Sequence, residues 1–133
     1  MQNIMFDKTV VKKALKRTWA LDQIPGRIPN SSDDDKSSVT SQLIHDLFGG
    51  EILKTHVKKS WHFYNRIDGE RVDFTESEMD KFTKENGFED IPSTPDETYA
   101  YFEQEDYSTF LMRFVRTFEE TVGLGKYPSG YTA

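Results

Sequence analysis

Apolar positions along the chain recur in two spacings, and each predicts a different kind of element. Val11, Ala14, Leu15, Thr18 and Trp19 share one face of a helix over residues 8–20, with Asp7 placed to cap it. Residues 24–36 carry Pro25, Gly26, Pro29, serines and three aspartates, and read as a loop whose acidic end precedes the next helix. That helix spans residues 38–48, with Val39, Leu43 and Leu47 in one row, and Ile44 and Phe48 widening it. Gly49-Gly50 stops it, because glycine enters the left-handed cap conformation freely.

From Glu51 the period changes from helical to two. Residues 51–57 read as a strand, and Lys58-Lys59-Ser60 as a turn. Residues 61–67 and 70–75 then form a hairpin about Asp68-Gly69, a favoured pair for a two-residue turn. That turn length pairs Ile67 with Glu70, Asn65 with Val72 and Phe63 with Phe74. It places Trp61, Phe63, Ile67, Val72 and Phe74 on one face, with Asn65 the only polar member. His62, Tyr64, Arg66, Arg71, Asp73 and Thr75 take the other. One more residue in the turn would mix the two sets.

Thr75 with Glu78 predicts a capped helix over residues 76–86, closed by Gly87, and Thr94-Pro95 with Glu97 repeats the start signal. Residues 97–104 alternate in places like a strand. Residues 108–122 form the last strong helix, with Phe110, Leu111, Phe114, Val115, Phe118 and Val122 on one face, and 124–133 read as a loose tail. No internal repeat is found. The pattern is α+β: N-terminal helices packed on a small antiparallel sheet, followed by C-terminal helices, within a single domain over residues 1–133.

Composition narrows the chemistry. The 133 residues contain no cysteine, which excludes both disulfides and thiol catalysis by the chain as it stands. The formal charge of −6 argues against nucleic acid. Lys12, Lys13, Lys16 and Arg17 fall partly opposite the apolar stripe of the first helix and read as a solvated face. No apolar run approaches the ~18 residues of a membrane span, and residues 1–4 lack the layout of a secretion signal. A cytoplasmic location without membrane association is the expectation. His45 and His56 lack a third ligand at a convincing spacing, so neither a metal nor another cofactor is expected.

The candidate chemistry lies in Ser37, His62 and Asp73. Ser37 stands near a helix start, where exposed N–H groups can serve a developing oxyanion. His62 and Asp73 lie diagonally on paired strands, close enough for the carboxylate to hold an imidazole tautomer that accepts a proton. Plainer readings accompany each residue. Ser37 or Ser38 serves as a helix cap, His62 beside Tyr64 as a half-buried sheet residue, and Asp73 as a cross-strand partner of Arg66 or Arg71.

Val39-Thr40, Leu43-Ile44, Asp46 and Phe48 to Leu53 resemble the YunG-like family of small uncharacterised bacterial proteins. So do Trp61 to Arg66, Asp68-Gly69 and Val72 to Thr75. The resemblance is strong over residues 35–80 and fainter at 14–19 and in the last helix. Family members open the second helix with a Gly-Gln-Cys-Ala-Val-Thr type of motif. Their order of Cys, His and Asp is similar to that of papain-like and NlpC-like hydrolases, in which the cysteine heads a helix packed on an antiparallel sheet. The resemblance implies that His62, Asn65 and Asp73 match the family's histidine, asparagine and aspartate, and that Ser37 stands where its cysteine is expected. Asp35 and Lys36 replace Gly and Gln, and Ser38 and Ser41 replace the usual alanines. Lys36 thereby takes the place of a glutamine that can help form the oxyanion hole.

Three functions follow as expectations. One is a degenerate, non-catalytic relative of amide or peptide hydrolases that binds a peptide or amide-bearing ligand. Another is an active hydrolase or acyltransferase using Ser37, His62 and Asp73. The third is a pure interaction module, suggested by the acidic composition and by Tyr99, Tyr101, Phe102 and Tyr107.

Overall fold

A computed structural model describes residues 6–21, 33–57, 60–75 and 87–122. Helices α1 (Lys8–Leu21) and α2 (Asp33–Phe48) precede strands β1 (Glu51–Val57), β2 (Ser60–Ile67), β3 (Glu70–Val72) and β4 (Ile91–Ser93). A one-turn helix α3 (Pro95–Thr98), a 3-10 turn (Tyr99–Tyr101) and the long helix α4 (Gln104–Thr121) complete the chain. The sheet is antiparallel throughout, in the order β3-β2-β1-β4. The protein is α+β, with helices on both sides of the sheet in sequence.

Local signals place α1 as expected. The Asp7 carboxylate accepts the amides of Thr9 and Val10 at 3.0 and 3.2 Å, which satisfies donors that the first turn leaves open. Val11, Ala14, Leu15 and Thr18 are buried against α4, while Lys12, Lys13, Lys16 and Arg17 face solvent. Thr18 survives burial because its hydroxyl donates to the Ala14 carbonyl at 2.8 Å.

Helix α2 corrects two expectations. It starts at Asp33, so residues 33–36 are helical rather than loop, and Ser37 lies in its second turn rather than at its head. It is also buried on every side from Ser37 to Ile44, not along a single stripe. The sheet covers one flank, α3 and the 3-10 turn another, and Val39, Leu43 and Ile44 join the core made by α1 and α4. Small polar side chains permit this, and most of them meet a partner, the buried Thr40 hydroxyl being an exception among the described residues. Ser41 donates to the Ser38 carbonyl at 3.0 Å, and Gln42 bridges Asp46 at 2.9 Å and the Thr98 hydroxyl at 2.6 Å.

The hairpin register agrees with the alternation: Ile67 pairs with Glu70 and Asn65 with Val72. Asp68 and Gly69 take φ of 52° and 83°, as a primed two-residue turn requires. The ladder stops at Val72, so the expected Phe63–Phe74 pair does not form and Asp73 lies just past the strand. Strand β4 was not anticipated, and residues 97–101 are helical or 3-10 rather than a strand, with Phe102 and Glu103 extended before the next helix. Helix α4 begins four residues before its expected start. The expected helix over residues 76–86, the turn at 58–59 and the tail over 124–133 lie outside the described residues.

At the end of α2 the two glycines differ in what they do. Both have φ near 83°, but a Cβ on Gly50 would stand 2.5 Å from the Arg66 carbonyl oxygen, whereas one on Gly49 meets nothing. Gly50→Ala is therefore expected to cost about 3 kcal/mol and Gly49→Ala roughly 1, read by urea denaturation of each variant. Equal losses at the two positions would contradict the close approach of β2.

Candidate functional site

Alternation along β2 divides the candidate residues between the two faces of the sheet. Trp61, Phe63, Asn65 and Ile67 share the side on which α2 packs, as shown by the Asn65 amide donating to the Ser41 carbonyl at 3.0 Å. His62, Tyr64 and Arg66 occupy the other side. Among the described residues, strand β3 pairs only with residues 65–67 of β2, so no strand covers the edge beyond them. The Phe63 amide donates to Ser37 Oγ at 3.0 Å, so α2 reaches this edge beside His62. Ser37 is 1% exposed.

His62 and Asp73 form the centre of the opposite side. Nε2 of His62 lies 2.7 Å from Asp73 Oδ2, with the two side chains 1% and 5% exposed. The other carboxylate oxygen accepts the amide and hydroxyl of Thr75 at 3.0 and 3.2 Å, which fixes the carboxylate plane. His62 Nδ1 is buried and has no hydrogen-bond partner among the described residues. Both His62 nitrogens are thus accounted for, and neither is hydrogen-bonded to Ser37. The cross-strand alternatives for Asp73 do not form: Arg66 pairs with Glu51, and Arg71 with Asp90.

The supporting residues have separate places. The Lys36 ammonium lies 4.2 Å over the Trp19 ring, directed toward α1. Asn65 ties β2 to α2. Tyr64 stacks beside His62, and its hydroxyl donates to Asp90 Oδ1 and accepts the Asp90 amide, both at 2.8 Å. Burial, then the bond to Asp90, pushes the Tyr64 phenol well above its ordinary range.

Asp90 accepts two bonds from Arg71, at 3.1 and 3.0 Å, and these hold its carboxyl below the usual carboxylate range. A carboxylate with a depressed folded-state pKa adds stability above its unfolded value, near 3.9, and loses it as pH falls through the folded one. Asp90→Asn is therefore expected to be less stable than the parent by about 1 kcal/mol at neutral pH, given the partial exposure of the pair. The difference should vanish in strong acid. A gap in urea midpoints that persists there would contradict the ionic origin.

Thr75, Asp90, Glu89 and Thr55 belong to this region and were not singled out from sequence. The Asp73-x-Thr75 spacing carries a signal, since aspartate commonly bonds the backbone two residues on. Asp90 carries none, because its partners are 19 and 26 residues away. No cluster of metal-binding side chains occurs among the described residues, and none of their helices is long and apolar enough to cross a membrane.

Fold and site together define a small α+β protein with a buried histidine–aspartate pair on one face of its sheet. The model of the YunG protein family matches residues 7–119, and the chain belongs to that family. It is 34% identical over 106 residues to the uncharacterized protein YunG of Bacillus subtilis (strain 168), covering 80% of this chain and 90% of that one. No solved structure matches it.

Proposed function

We propose that the protein is a non-catalytic relative of papain-like amide hydrolases, and that it binds a peptide or another amide-bearing ligand at His62. One observation carries this reading: a carboxylate orients His62 through Nε2 while the buried Nδ1 is left without a partner. An imidazole that donates its Nε2 proton to Asp73 presents a lone pair at Nδ1. An amide N–H of a ligand complements that lone pair.

Turnover is disfavoured by the setting of Ser37. Its hydroxyl accepts the Phe63 amide and makes no bond to the imidazole that would have to deprotonate it. Its second-turn position also removes it from the open amides of the helix head, which an oxyanion would use. The interaction-module reading is less favoured, because Tyr99, Phe102 and Tyr107 pack on one another and Tyr107 donates to Asp46.

Ser37→Cys tests the descent of the site, since it introduces the chain's sole thiol. Thiolate absorbance followed across pH is expected to give a value at least one unit below the ordinary ~8.5, moving back toward it when His62→Ala is added. An ordinary or raised value, indifferent to His62, would remove the basis for a vestigial site. The unmodified chain is expected to leave peptide anilides intact. Turnover abolished by Ser37→Ala would replace this reading with an active hydrolase.

A further inference from the structure

The His62–Asp73 pair is almost wholly buried, so a ligand reaches it only if part of its cover moves. Residues 87–90 bond to Thr55 and Tyr64, the two side chains that neighbour His62 on its side of the sheet. Thr55 faces His62 directly across the β1–β2 ladder, and its hydroxyl both donates to Glu89 at 3.1 Å and accepts the Glu89 amide at 3.0 Å. Tyr64, the next residue of β2 on this side, holds Asp90 through both of its hydroxyl bonds, and the Phe88 ring lies 4.8 Å from its own. The strap is therefore pinned on both flanks of the histidine.

Its attachments are of a kind that releases easily. Apart from Phe88 they are polar, and two of them lie well into solvent: the Arg71–Asp90 ion pair, at 42% and 32%, and the His56–Glu89 contact, at 58% and 48%. Segments held by few apolar contacts and by exposed hydrogen bonds open at low free energy. Both ends of the strap also have positive φ, 84° at Gly87 and 56° at Asp90. At Asp90 this conformation is costly for a residue with a side chain, and it persists through the Arg71 and Tyr64 bonds.

We propose that residues 87–90 are a lid on the His62–Asp73 pair, latched by Arg71–Asp90 and Tyr64–Asp90, and that unlatching admits the ligand. The inference rests on the reading of His62 as the ligand-facing group.

The test is the chemical accessibility of His62. Diethyl pyrocarbonate should modify His45 and spare His62 in the unaltered protein, with sites resolved by peptide mass spectrometry. Asp90→Gly removes the latch and relieves the positive φ, and Arg71→Ala removes the same ion pair from the other partner. In each folded variant the His62 rate is expected to rise roughly tenfold while His45 changes by less than about twofold, with faster amide exchange over 87–90. The lid is overturned if His62 reacts in the unaltered protein as readily as His45. It is equally overturned if exchange over 87–90 rises while His62 stays protected, or if neither variant loosens those amides. None of these outcomes touches the Ser37→Cys titration, so the lid and the ligand reading fail separately.

Discussion

Alanine at Asp73 is expected to remove about 3–5 kcal/mol of folding stability, the range for breaking a buried pair by deleting one partner. Three groups lose their acceptor at once: His62 Nε2, the Thr75 amide and the Thr75 hydroxyl. Burial prevents water from replacing the carboxylate, because His62 is 1% and Thr75 2% exposed. Each stranded polar group adds about 1–3 kcal/mol, and the contributions overlap because all three converge on one carboxylate. Asp73→Asn keeps an acceptor for Thr75 and should cost less than half as much. Urea denaturation with His62→Ala and Asp73→Ala, singly and together, should give a coupling of at least about 1 kcal/mol. Additive single losses would show that the two side chains do not act as a pair.

The second large effect is expected at Phe110. Its ring is completely buried where α4 meets α1 and α2, within a cluster that includes Leu15, Leu43 and Phe114. Phe110→Ala should cost about 3–5 kcal/mol, the transfer free energy of the ring plus the cavity it leaves. Met112, two residues on, is 69% exposed, and Met112→Ala should stay within about 0.5 kcal/mol. The comparison by thermal or urea unfolding assigns the packed face of α4. A comparable loss at both positions would contradict that assignment.

Residues such as Asp7, Gly49, Asp68 and Gly69 are informative from sequence because their effects are local. A cap, a helix stop and a two-residue turn each depend on neighbours within a few positions, so their identity specifies the backbone. The strand faces follow too: alternation over residues 61–67 separates His62 from Phe63 whatever packs against them. With that separation came the diagonal placement of His62 and Asp73, which lie 2.7 Å apart at their polar atoms.

Ser37 shows where this legibility ends. A loop rich in glycine, proline and serine suggests a late helix start, yet α2 begins at Asp33, as part of a helix that neighbours surround on all sides. Helix ends are set by whichever tertiary contacts outweigh weak local preferences. The partner of Ser37 is likewise a non-local matter. Its hydroxyl meets the Phe63 amide because β3 is too short to cover that edge of β2.

Local patterns therefore determined the apolar faces of α1 and α4, the hairpin register and the side of the sheet that carries His62 and Asp73. Tertiary structure alone decided that Ser37 lies one turn inside α2, that its hydroxyl accepts the Phe63 amide, and that Asp90 joins Tyr64 and Arg71. Each depends on contacts between separate elements, whose energies exist only once those elements have packed.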